Sequence, residues 1–195
     1  MLGPRANTIN TGGFLARIEA LRYDVTMAGA YRPYQDVLRS SIARGSGEFG
    51  LPYEESDGDA LVTPVPTWCS YFDALLTLEH LHQEYKLANV TNSDDDIMAL
   101  NVANIGVPTD RVITSEQAGP WKPLPGIFVS AVRAVACEPH EIIQLAQVFE
   151  YDIVPGHTLG GTCVWINRYG HIGGPACRPY HELPDLPGLP ALVRM

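Results

Sequence analysis

Hydrophobic positions along this chain change their period once. Residues 14 to 45 carry Leu, Ile, Ala, Arg and Tyr at helical spacing, interrupted by Pro33 within Tyr31-Arg32-Pro33-Tyr34. That pattern predicts two helices meeting at a corner. The passage GSGEFGLPYEESDGD (45–59) reads as loop, and TPVPTW (63–68) as a proline-punctuated linker. From residue 70 onward, short apolar runs alternate with amphipathic segments. A helix over 73–84 leads into the run Leu87 to Val90, and a helix over 94–104 into Val112 to Thr114. A helix over 125–137 precedes Ile142 to Ala146, and a short helix around 153–159 precedes TCVWIN (162–167). Such alternation predicts an α/β fold with a parallel sheet wrapped by helices. Ligands of open parallel sheets sit at the carboxyl ends of the strands.

Composition narrows the function classes. A chain of 195 residues with 46% hydrophobic and 18% charged positions describes a compact domain with a sizeable core. A net charge of -9 gives phosphates no basic footing, so no nucleic-acid partner is expected. No apolar run is long enough to span a bilayer, and MLGPRANTINTGG lacks a secretory pattern, so the expected location is cytoplasmic. Cys69, Cys137, Cys163 and Cys177 form no C-x-x-C pair and read as reduced thiols. His80 and His82 are two apart in a helix and cannot share a face, so no metal site is expected there.

The candidate chemistry lies in the second part of the chain. Tyr71-Phe72-Asp73-Ala74-Leu75-Leu76-Thr77-Leu78 reads like a hydrophobic-Asp-x-x-Gly-Thr-Leu nucleophile signature, with Leu76 where glycine belongs. Thr91-Asn92 follows YKLANV, Lys122 sits in GPWKPLPGIF, Asp152 in QVFEYDIVPGHTLG, and TCVWINRYG closes the series. In order and spacing these motifs resemble the haloacid-dehalogenase superfamily, most closely its type II, 2-haloacid-dehalogenase-like branch. The resemblance covers residues 14 to 193 and includes the ending ELPDLPGLPALV.

The resemblance implies a Rossmannoid parallel sheet with a small helical cap. Residues 1–13 would be an N-terminal extension, 14–65 the cap-like segment and 66–195 the α/β core. It implies that Thr91 and Asn92 bind the substrate's anionic or leaving group. Lys122 would neutralise charge beside a nucleophile. Asp152 would orient water, the lysine or, in phosphatase relatives, a magnesium ion. No other cofactor is implied. Bland readings stand beside each role: Thr91-Asn92 as a turn and helix cap, Lys122 as a solvated loop lysine, Asp152 as the cap of the 153–159 helix. Tyr31 and Tyr34 could line the substrate side of the cap, or simply pack.

Two departures set the functional question. Val148 and Phe149 stand where the pattern has Ser and Asn, and neither can bind water or hold a lysine. Only 18 residues separate Asp73 from Thr91, which places YFDALLTL on the helix before the Thr91 strand rather than on a nucleophile strand. Tyr71, Ala74, Leu75, Leu78, Leu81 and Tyr85 form an apolar stripe there, with Asp73 in the first turn, where a carboxylate suits the helix dipole. Upstream, residues 1–13 contain no acid, so the expectation is a chain without the family's central first strand and its nucleophile. Unpaired neighbours of a missing central strand are costly. The flanking strands are therefore expected to pair directly, or to be covered by another segment or a second subunit, favouring a homodimer.

Three functions follow from this sequence. One is a small-molecule enzyme repurposed for non-hydrolytic acid–base chemistry on a small organic acid or similar metabolite, using Lys122, Asp152, Thr91 and Asn92. Another is a catalytically silent binding or structural protein. The third is a dehalogenase- or phosphatase-type hydrolase drawing its carboxylate from Asp94, Asp95 or Asp96.

Overall fold

The structure, a computed structural model, describes residues 9–28, 31–178 and 180–194. Most of the segment expected as an N-terminal extension lies outside the described residues. Helix α1 (Thr11–Met27) begins where the Asn10 side chain accepts the Gly13 N–H at 3.0 Å. Pro33 sits immediately before α2 (Tyr34–Glu48), so the corner falls where the proline placed it. Phe14, Ile18 and Ile42 close the α1–α2 contact. The helices approach so closely that a Cβ on Gly45 would lie 2.2 Å from Ile18 Cδ1.

The passage read as loop contains a third helix, α3 (Glu55–Val62). Its start is a capping box, with the Glu54 N–H donating to Asp57 Oδ2 at 3.1 Å. Gly58, which reads as a breaker, is a packing residue instead. A Cβ there would lie 2.7 Å from the Tyr53 hydroxyl and 2.9 Å from Arg39 Cγ.

The core follows the predicted alternation with ends shifted by a residue or two. Its elements are α4 (Ala74–His82), β1 (Ala88–Thr91), α5 (Asp95–Ile105) and β2 (Arg111–Thr114). They continue with α6 (Ser115–Ala118), α7 (Pro125–Val135), β3 (Ile143–Ala146) and a π-helical turn (Phe149–Ile153). The turn runs into α8 (Val154–Thr158), followed by β4 (Thr162–Ile166), β5 (His181–Leu183) and α9 (Leu189–Leu192). The sequence reading missed α6, β5 and α9, all too short to show a period. On α4 the predicted stripe is rotated. Ala74, Leu78 and Leu81 pack inward together with Thr77, whereas Tyr71, Leu75 and Tyr85 stay partly exposed.

Every strand pair is parallel, but the strands form two sheets, β1–β2 and β3–β4–β5. The expectation that β1 and β3 pair directly is corrected: among the described residues, the free edge of each has no strand beside it. Burial follows the pairing. Cys163 to Ile166 of β4, flanked on both sides, are all buried, while no residue of β1 or β3 is. Helices bridge the two sheets. Ala74 and Leu81 of α4, Val164 and Ile166 of β4, and Leu189 of α9 form one cluster, on which both Leu87 and Leu145 pack. Ile127, Phe128 and Ala131 of α7 form a second with Ile113, on which Val90 and Leu159 pack. Leu87 and Val90 are three residues apart along an extended segment, so they serve opposite faces. No helix among the described residues is long and apolar enough to cross a membrane.

Candidate active site at the carboxyl ends of the strands

Residues at the end of β1 build the site's floor. The Thr91 hydroxyl accepts the Ser93 N–H at 3.2 Å, a local turn bond. Asn92 reaches across to the segment before α7. Its side-chain oxygen accepts the Lys122 N–H at 2.6 Å, and its amide donates to the Lys122 carbonyl at 3.0 Å. That oxygen also accepts the Ser115 hydroxyl at 3.1 Å. The backbone of residue 122 is thus clamped, and its side chain leaves from a fixed base.

Lys122 Nζ donates to Asp152 Oδ1 at 2.7 Å, with the two side chains only 16% and 8% exposed. Asp152 is placed by the π-helical turn after β3, where its N–H donates to the Val148 carbonyl at 3.1 Å. Lys122 is therefore no solvated loop lysine, and the Asp152 carboxylate turns to Lys122. The structure brings Asn92, Lys122 and Asp152 together, with Thr91 adjacent. Val148 is exposed, and Phe149 is buried edge-on against Trp165 and Tyr180.

The cap tyrosines are engaged elsewhere. Tyr31 stacks on Trp121 at 5.6 Å and donates its hydroxyl to Asp94 Oδ1 at 2.9 Å. Burial and that carboxylate push the Tyr31 hydroxyl above its ordinary range. Tyr34 lies tilted over the same indole at 6.3 Å, and its hydroxyl accepts from Arg22 at 3.2 Å. The Tyr34 and Gln35 N–H groups donate to Asp94 Oδ1 and Oδ2 at 2.7 and 3.3 Å. Asp94 thus caps α2 from the core.

Sequence reasoning missed two residues here and the role of a third. Ser115, fully buried, steadies Asn92. Trp121, also fully buried, joins the cap tyrosines to the Lys122 segment, and its position beside Lys122 was the available signal. Asp94 was read as the acidic start of α5 or as one of three candidate carboxylates, and nothing local announces that it caps a helix 60 residues earlier.

The other acids have defined work. Asp73 is 6% exposed; Arg168 Nη2 lies 2.9 Å from each of its oxygens, and the Leu186 N–H donates to Oδ2 at 3.0 Å. Burial raises the Asp73 carboxyl, but the Leu186 N–H and Arg168 outweigh it and leave it below the usual carboxylate range. Asp95 accepts from the Thr114 hydroxyl and the Gln117 amide, and Asp96 from the Ile97 N–H. None of the described residues form a group of three His, Cys, Asp or Glu side chains placed to hold a metal, and Lys122 Nζ already occupies Asp152. Cavities of about 220 and 170 Å³ lie elsewhere, one against Arg39, Val62 and Ile97, the other against Leu21, Ser41 and Arg44.

The thiols give a direct check on this packing. Burial, with a smaller contribution from neighbouring Cys177, pushes Cys163 up to about 11, whereas Cys69 is exposed. Thiolate is the reacting form, so Cys69 is expected to label first and Cys163 last, at least about tenfold slower. Timed alkylation followed by peptide mass mapping measures the order.

Neither a protein-family model nor a curated protein matches the chain. Solved structures do. An L-2-haloacid dehalogenase superposes with a TM-score of 0.86 at 18% identity, covering 94% of this chain and 86% of that one. The L-2-haloacid dehalogenase from Xanthobacter autotrophicus with chloropropionic acid covalently bound gives 0.81 at 19%, over 93% and 85%. A HAD phosphatase from Thermococcus onnurineus gives 0.61 at 24%, over 93% and 78%. The parallel strands, the helical layers and these superpositions agree: the chain has the fold seen in the L-2-haloacid dehalogenases.

Proposed function

We propose that the protein is a small-molecule enzyme that moves protons on a small organic acid at the Lys122–Asp152 pair, without a covalent intermediate. The observation that carries this reading is the 2.7 Å contact between two mostly buried, opposite charges, Lys122 from the segment after β2 and Asp152 from the turn after β3. A bound substrate oxygen would draw the Lys122 ammonium and release Asp152 as a base. With a 2-oxo acid, the Asp152 carboxylate takes a proton from the carbon beside the carbonyl. The C–H electron pair moves into the enolate, and Lys122 stabilises the charge on its oxygen. Reprotonation by Asp152 completes the cycle. Asn92 fixes where Lys122 acts from. Covalent attack through Asp73 is disfavoured because Arg168 and the Leu186 N–H already engage both of its buried oxygens.

The test is hydrogen–deuterium exchange at the methyl group of pyruvate in D2O. Wild-type protein is expected to accelerate it, with Asp152→Asn losing about 10²–10⁴-fold and Lys122→Met weakening both binding and rate. Release of chloride from 2-chloropropionate, or of phosphate from an aryl phosphate, would show hydrolysis and end this reading. A second reading, a binding protein without turnover, is favoured by the apolar Val148 and Phe149 beside the turn that carries Asp152. Binding of pyruvate without exchange would select it.

A further inference from the structure

We propose that the cavity between α1 and α2 is a binding site for a small aliphatic monocarboxylate, held by Arg32 and Arg44. The cavity originates in the pairing of the two helices. Phe14, Ile18, Leu21 and Val25 recur at helical spacing along one stripe of α1. Gly45 of α2 lets the helices touch at Ile18. One turn earlier the same face of α2 carries Ser41, too short to fill the space beside Leu21 and Val25. A cavity of about 170 Å³ remains, lined by Leu21, Val25, Arg32, Ser40, Ser41 and Arg44. That is several times the roughly 30 Å³ share of one water in the liquid.

The ligand class follows from what the lining offers. Leu21, 1% exposed, and the half-buried Val25 form an apolar floor. Arg32 and Arg44 are both exposed and are the only charged groups among the described lining residues, in a chain of net charge -9. Among the described residues, no carboxylate pairs with Arg32. Arg44 Nε lies 3.4 Å from Glu48 Oε1, but Arg17 already holds both oxygens of that carboxylate, at 2.6 and 3.1 Å. The serines add no donors, because both hydroxyls give their protons to the Val37 carbonyl, at 3.1 and 2.7 Å. An anion therefore meets side-chain donors only at the two guanidinium groups, whose planar forks match a carboxylate. Its aliphatic remainder covers Leu21 and Val25, which a bare inorganic anion would leave uncovered. The lining shares no residue with the Lys122–Asp152 pair, so the site goes beyond the proposed proton transfer and does not depend on it.

The experiment titrates isovalerate into the full chain at constant ionic strength. Amide NMR shifts at residues 21, 25, 40, 41 and 44 report on this cavity separately from any acid bound at Lys122. Those shifts should move and saturate. Arg32→Gln and Arg44→Gln, both at exposed positions, should each weaken binding about tenfold, the loss of roughly one charge-assisted hydrogen bond. Lys122→Met should leave the same titration unchanged. The proposal is overturned if the shifts do not saturate, or if neutral isovaleramide or inorganic phosphate binds there as tightly as isovalerate. Wild-type affinity in both arginine variants overturns it too, as does loss of these shifts in Lys122→Met.

Discussion

Replacing Asp73 with asparagine is expected to lower the unfolding free energy by about 3–5 kcal/mol, the usual loss when one member of a buried ion pair is removed. Asp73 binds two partners that lie far from it in sequence. Arg168 comes from the loop after β4, and Leu186 from the approach to α9. The Arg168 guanidinium also lies 4.1 Å from the centre of the Tyr71 ring, so losing the carboxylate leaves a largely buried cation with that aromatic face and a neutral amide oxygen in place of its counter-charge. Urea melts read the loss as a fall in midpoint at constant slope. The pair Asp73→Asn with Arg168→Met should recover part of it, because the uncompensated charge is then gone.

The pH dependence carries a sign. A carboxyl held below its unfolded value stabilises the fold fully above that value, about 3.9 for aspartate, and loses the contribution as pH falls through the lower folded value. Wild-type stability should therefore drop below about pH 4, with the part due to Asp73 missing from the asparagine variant. Between pH 5 and 8 the difference between the two should stay flat.

Asp94→Ala should be nearly as damaging, at about 3 kcal/mol, combining a lost helix cap with an orphaned buried hydroxyl. The alanine leaves the Tyr34 and Gln35 N–H groups at the start of α2 without acceptors and strands the Tyr31 hydroxyl. Asp94→Asn retains an acceptor and should lose about 1 kcal/mol. A second readout separates this role from generic destabilisation. Alkaline absorbance titration should show Tyr31 ionising at lower pH in Asp94→Ala, because the carboxylate helps hold its hydroxyl up.

What the sequence made legible, and what it hid, follow a physical division. The helices and runs from residue 70 onward carry a period that survives inspection because tertiary contacts reinforce it. Lys122 and Asp152 were singled out by the resemblance of their motifs, and the fold sets them 2.7 Å apart. The clamp of Asn92 on the Lys122 backbone was not, since a side chain bonding to main chain thirty residues away leaves no periodic trace. Helix α3 was hidden because Gly58 reads as a breaker until its contact with Tyr53 and Arg39 is seen, although Glu54 and Asp57 spelled a capping box. Asp73 was placed correctly at the start of its helix, but for an incomplete reason. The helix dipole is a minor attraction beside a guanidinium 2.9 Å away. Separation into two sheets could not be read from the strands themselves, because pairing partners are long-range facts.

The Asp94 latch also bears on how anything reaches Lys122. One carboxylate holds Tyr31 and the first turn of α2 from the head of α5, and Trp121 fills the seam beside it. A hinge opening of the cap would uncover two backbone donors, a hydroxyl and an indole face at once, so the cap should behave as a shutter that is either latched or locally unfolded. Ligand entry would then be timed by that local unfolding, and entry rates should climb with temperature and dilute urea more steeply than diffusion allows.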